Sequence, residues 1–181
     1  MEEQKRTFLQ RVGDILMNRN VTQMVTPADP KKARDNTLNA LDTYLASKYE
    51  KETPQAVKDM IKGMENLESY SGVKRINPGD QKDGSNSYGV LHMGQGAVNE
   101  FTKAPKRYNY SGPTDIKAEE LQSSLRDNIQ RYITSQRIMR DMNVNKRDLY
   151  SATQFVQNPG AKNYATTSME RFNNPVTPAS R

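Results

Sequence analysis

Apolar residues recur every three or four positions through much of this 181-residue chain, and that period commits it to helices. Val57, Met60, Ile61, Met64 and Leu67 trace one such face, behind "ETPQ", where Thr53 caps and Pro54 suits a first turn. Leu38, Leu41, Tyr44 and Leu45 trace another, over 35–49. Leu121, Leu125, Ile129, Ile133 and Met139 mark the longest helix, about 115–142. Shorter helices are expected over 95–101 and 146–156, and Phe8, Leu9, Val12, Ile15 and Leu16 define an N-terminal amphipathic one. The methionines in these stripes, Met60, Met64, Met139 and Met142, read as adaptable core filler.

The interruptions are as informative. "NRNVTQMVTPADPKKARDN" reads as a linker, "TKAPKRYNYSGPTD" as a loop, and "QNPGAKN" as a helix breaker. From Ser69 to Ser87 the chain is polar and glycine-bearing, with a weak hairpin signal at Val73–Ile76 and Tyr88–Leu91. The expected fold is mainly α with a small irregular or β-hairpin insert, a separate N-terminal helix and a polar C-terminal tail. The expected divisions are 1–34 (helix and linker), 35–171 (the domain) and 172–181, "FNNPVTPASR", a disordered tail or a strand bound to a partner.

Hydrophobic residues make up 34% of the chain, a share suited to one modest core with polar ends. The net charge of +6 favours anionic surfaces without choosing among nucleic acid, cell-wall polymer and acidic protein. There is no cysteine, so disulfides and thiolate metal sites are excluded, and a lone His92 makes no histidine-based metal site. No metal or cofactor is expected. No run of 18 apolar residues occurs, so no membrane span is expected. The start, "MEEQKRTFLQRVGDIL", has no apolar signal-peptide core. Lys103, Lys106 and Arg107 beside Tyr108 and Tyr110 offer a nucleic-acid patch, with a solvated loop as the favoured reading.

One stretch carries chemistry. "SNSYGVLHMGQGAVNEF" sets glycines and apolar residues around His92, and upstream a helix ends in Glu68-Ser69. A carboxyl group at the end of a largely buried helix is half desolvated, which favours its protonated form and makes it a general acid. Glycoside cleavage needs such an acid on the leaving oxygen. Glycines opposite let a polymer approach the backbone.

These residues resemble the soluble lytic transglycosylase family. Glu68-Ser69, a polar loop, then Ser87-Tyr88-Gly89-Val90-Leu91-His92 and Gly96-Ala97 are similar to its Glu-Ser and Ser-x-Gly-Leu-x-Gln signature. "LDTYLASKYEKETPQAVKDMIKGMENLES" resembles its first two helices, and "RDNIQRYITSQRIMRDM", with Asn128-Ile129, its long helix. "ATQFVQNPGAKNY" resembles its Ala-Ala-Tyr-Asn-x-Gly-Pro-Gly segment, with Pro159-Gly160 and Tyr164 in place. Two departures stand out. The family's glutamine is His92, and its Tyr-Asn pair lies over Phe155-Val156.

The resemblance implies a lysozyme-like helical domain that cleaves the MurNAc–GlcNAc β-1,4 bond of peptidoglycan. Glu68 is implied as acid and then base, closing a 1,6-anhydro ring. Ser69 and Ser87 are implied to support it by hydrogen bonds, and the backbone from Gly89 to Leu91 to line the sugar groove. Tyr88, His92, Phe155 and Tyr164 are the remaining substrate-contact candidates. With no export signal, a phage particle is the expected setting: made in the host cytoplasm, acting in the periplasm, held to other virion proteins through 1–34 and 172–181. The rival expectations are a catalytically silent virion component on the same fold and, more distantly, a basic DNA-contacting protein.

Overall fold

A computed structural model describes residues 29–176; the expected N-terminal helix and the last residues of the tail lie outside them. The described chain is mainly helical with one two-stranded hairpin. Helix α1 spans Pro30–Glu52, so the end of the expected linker, from Pro30 onward, is already helical. The Asp29 side chain accepts from the Lys31 and Lys32 amides, and Pro30 sits where a missing amide hydrogen costs nothing. Thr53 does not cap the next helix. It closes α1, its amide bonding back to the Tyr49 carbonyl, while its hydroxyl meets Ser135 in the interior. Pro54 forces that extended break, and α2 runs over Gln55–Ser69.

The hairpin pairs β1 (Ile76–Asn77) with β2 (Ser87–Tyr88), Ile76 opposite Tyr88. Helix α3 covers Gln95–Lys103. The expected long helix is divided: short 3₁₀ turns at Ala118–Gln122 and Ser124–Arg126 precede α4, Asp127–Asn145. Two interactions hold the divided segment. Ser123 accepts the Leu125 amide, and Arg34 of α1 bonds both Asp115 and Glu120 at 2.9 Å. Leu125 is therefore not in the core but 59% exposed. Asp42 of α1 then caps α4 across the interface, accepting the Ile129 amide at 3.0 Å and the Asn128 side chain at 2.8 Å.

Helices α5 (Leu149–Gln157) and α6 (Tyr164–Asn173) complete the domain. The sequence pattern did not announce α6, which takes up the first residues of the expected tail. Its contact with α2 requires Gly63: a side chain there would lie 2.0 Å from the Ser168 carbonyl oxygen. Leu38, Leu41 and Leu45 of α1, Met60, Ile61 and Met64 of α2, and Ile129, Ile133 and Ile138 of α4 form one continuous core with Leu91 and Phe101. The buried Glu65 carboxylate, paired with Arg131, bolts α2 to α4. No helix among the described residues is long and apolar enough to cross a membrane.

Candidate active site

The end of α2 turns sharply. Tyr70 and Ser71 take left-handed backbone conformations, and the Ser71 amide returns to the Glu65 carbonyl. This stops the helix one residue after Glu68 and leaves its side chain about 20% exposed at the edge of the core. Ser69, fully buried, is not directed at Glu68. Its hydroxyl reaches the Val90 carbonyl at 2.7 Å and receives the Gly72 amide at 2.8 Å. Its role is to fasten the helix end to the segment after the hairpin.

That segment is held from the other side by Gln130 of α4. Its side chain accepts the Leu91 amide at 3.1 Å and donates to the Leu121 carbonyl at 3.0 Å. Gly89 makes this approach possible: at φ +85° its missing Cβ would lie on the Gln130 amide and 2.5 Å from the Leu121 oxygen. The Gly89 amide bonds the Arg75 carbonyl, and the Leu91 carbonyl accepts from Gln157. The backbone from Gly89 to Leu91 is thus committed to internal hydrogen bonds and, with Leu91 wholly buried, is structural rather than groove-lining.

What this segment does is deliver His92. The ring meets Glu68, its Nδ1 3.3 Å from Glu68 Oε2, while Nε2 lies 2.8 Å from the Lys74 carbonyl oxygen. Tyr164, at the start of α6, donates its hydroxyl to Glu68 Oε1 at 2.6 Å. Burial, then the Glu68 charge, hold the phenol well above its ordinary pKa, so it remains a donor at any working pH. Glu68, His92 and Tyr164 come together from three separate parts of the chain.

An open groove of about 250 Å³ runs past Glu68 and His92, lined also by Asp80 and Gln81 of the hairpin loop and by Arg137, Val156 and Gln157; Tyr164, expected to touch substrate, is buried and is not among its walls. Met93 and Gly94 line it where Gly89–Leu91 were expected to. Ser87 is turned to Asp80, at 2.8 Å, and not to Glu68. Tyr88 is half-buried, its hydroxyl 3.4 Å from the Asn86 side chain, and is not among the groove's walls. Phe155 stands away from the groove. It is 52% exposed, with the Arg147 guanidinium 3.8 Å over its ring, in a neighbouring cleft with Tyr108 and Arg140. Tyr108 and Tyr110 are buried, so neither offers a face for stacking on a nucleic-acid base.

Sequence reasoning missed Asp80, Arg137 and Gln157 as groove residues. Asp80 closes the "NPGD" turn, a position that signals a turn and not a site. Among the described residues, no group of three or more histidine, aspartate or glutamate side chains is arranged to hold a metal ion. No protein-family model, no curated protein and no solved structure matches this chain.

Proposed function

We propose that the chain is a peptidoglycan lytic transglycosylase that uses Glu68 as its single acid and base. The observation that carries the reading is the placement of Glu68: a helix-end carboxyl, anchored through Oε1 by Tyr164, opening onto a polar groove. The motif order from Glu68-Ser69 to Tyr164 supports it as well.

In this mechanism Glu68 gives its proton to the β-1,4 glycosidic oxygen as the bond from C1 breaks. The carboxylate left behind then takes the proton of the MurNAc C6 hydroxyl. O6 closes on C1, the product is a 1,6-anhydro sugar, and Glu68 regains its proton. Positioned acid catalysis of this kind supplies roughly 10²- to 10⁴-fold. Tyr164 keeps the carboxyl group aimed throughout, since its hydroxyl does not ionise.

Asp80 in the same groove favours a second reading of the final step. In that version Asp80 directs a water to C1, and the product has a reducing end. The phage-particle setting belongs to the proposal too, and detection of the chain in purified particles tests it. The activity itself is tested by incubating wild type and Glu68→Gln with peptidoglycan sacculi. Wild type should release soluble muropeptides and the variant none. A folded wild type that releases nothing would leave the silent virion component as the better reading.

A further inference from the structure

His92 holds a buried polar atom whose surroundings fix where a proton must be. The Lys74 carbonyl oxygen facing Nε2 at 2.8 Å can only accept, so Nε2 carries a hydrogen. Nδ1 is buried and has no aligned hydrogen-bonding partner; its polar contact is Glu68 Oε2, at 3.3 Å. With Nε2 protonated, a neutral ring turns the Nδ1 lone pair toward that oxygen. Lone pair against carboxylate is repulsive, and in a buried setting the repulsion is not screened away. The contact becomes attractive once a proton lies between the two atoms, on Nδ1 or on Oε2.

We propose that Glu68 and His92 hold one proton in common, and that this is the proton Glu68 delivers to its substrate. The second half of this statement rests on the glycan-cleaving reading; the first does not. His92 is then a positioning residue that keeps the acid charged with its proton. The pair starts with one proton, loses it to the leaving oxygen as the C1–O bond breaks, and recovers it from the C6 hydroxyl, so nothing is consumed.

The backbone supports a dedicated role. His92 sits at φ +44°, a left-handed conformation that side-chain-bearing residues enter at a cost. The charges around the ring are Glu68 from α2, Lys74 from the following loop, Asp80 from the hairpin turn and Arg137 from α4. The end of α5 contributes the uncharged Gln157 and Asn158, α3 contributes Ala97, and Tyr164 of α6 acts through Glu68 Oε1. Burial opposes a charged imidazole, but the Glu68 carboxylate beside Nδ1 and the bond to the Lys74 carbonyl outweigh it, and the ring's pKa is raised. A raised value means the shared proton survives as pH climbs past the ordinary histidine range and is lost only above it.

His92 is the only histidine in the chain, so its ring nitrogens can be followed by ¹⁵N NMR without assignment. The expected titration midpoint lies above the ordinary value of about 6.5. After deprotonation the hydrogen stays on Nε2, and Glu68→Gln lowers the midpoint. A midpoint at or below the ordinary value, no response to Glu68→Gln, or a hydrogen on Nδ1 in the neutral ring would each overturn the proposal. The second arm is the pH–rate profile on sacculi. His92→Asn tolerates the left-handed backbone and carries no titrating proton. It should move the alkaline limb to lower pH and cost about tenfold or more at pH 7.5, with a thermal midpoint close to wild type; an unmoved limb contradicts the catalytic half. Should the NMR result hold while wild type leaves sacculi intact, the shared proton stands and the glycan reading falls.

Discussion

The Tyr164 hydroxyl donates to Glu68 Oε1 at 2.6 Å, joining the first turn of α6 to the last turn of α2. One oxygen of the carboxyl group is therefore fixed, and the other is left for chemistry. Gly63 brings the two helices close enough for this bond to form.

Tyr164→Phe keeps the packing of the ring and removes that bond. Because Glu68 is partly exposed, the stability loss should be modest, about 1–2 kcal/mol in chemical denaturation. The activity loss should be larger, about 10- to 100-fold, because an unanchored carboxyl group misses its aim. Equal activity in wild type and variant would mean that the bond does not orient the acid.

Gly89→Ala tests the second wall of the site. A methyl group there strikes the Gln130 amide and the Leu121 carbonyl, and the backbone is already at φ +85°. We expect a loss of about 3 kcal/mol from strain and overpacking together, with the His92 NMR signals displaced. Wild-type stability would show that the Gln130 clamp yields easily.

The acid limb of stability has an identifiable contributor. Hydrogen bonding from Arg34 holds the Glu120 carboxyl below its ordinary pKa. A lowered folded-state value gives stability that is present above the unfolded pKa, near 4.5, and is lost as pH falls through the folded value. Arg34→Gln should destabilise the protein at pH 7 and flatten the loss of stability below pH 4.5. Parallel curves for wild type and variant would remove Arg34 from this account.

Much of the fold was legible in the sequence because burial imposes its period on the chain. Val57, Met60, Ile61 and Met64 were read from spacing alone, and all four are in the core. Helix α6 was not legible: "YATTSMERFN" is polar in composition, and it is held by Gly63, about a hundred residues earlier in the chain. Leu125 misled for the opposite reason. It continues an apolar stripe, but Ser123 and the Arg34 contacts break the helix before the stripe can face inward. At the site, Glu68, His92 and Tyr164 were named from the sequence, and the structure gathers them. The partners of Ser69, Ser87 and Phe155 were not legible, because a side chain's direction depends on groups such as the Val90 carbonyl, Asp80 and Arg147 that only tertiary structure brings near.

The most direct measurement of the central claim is mass spectrometry of the soluble products that the full chain releases from peptidoglycan sacculi, with Glu68→Gln in parallel. The account predicts 1,6-anhydro muropeptides from wild type and none from the variant. Reducing-end products would transfer the final step to water, and equal release by Glu68→Gln would contradict the assignment of Glu68 as the acid.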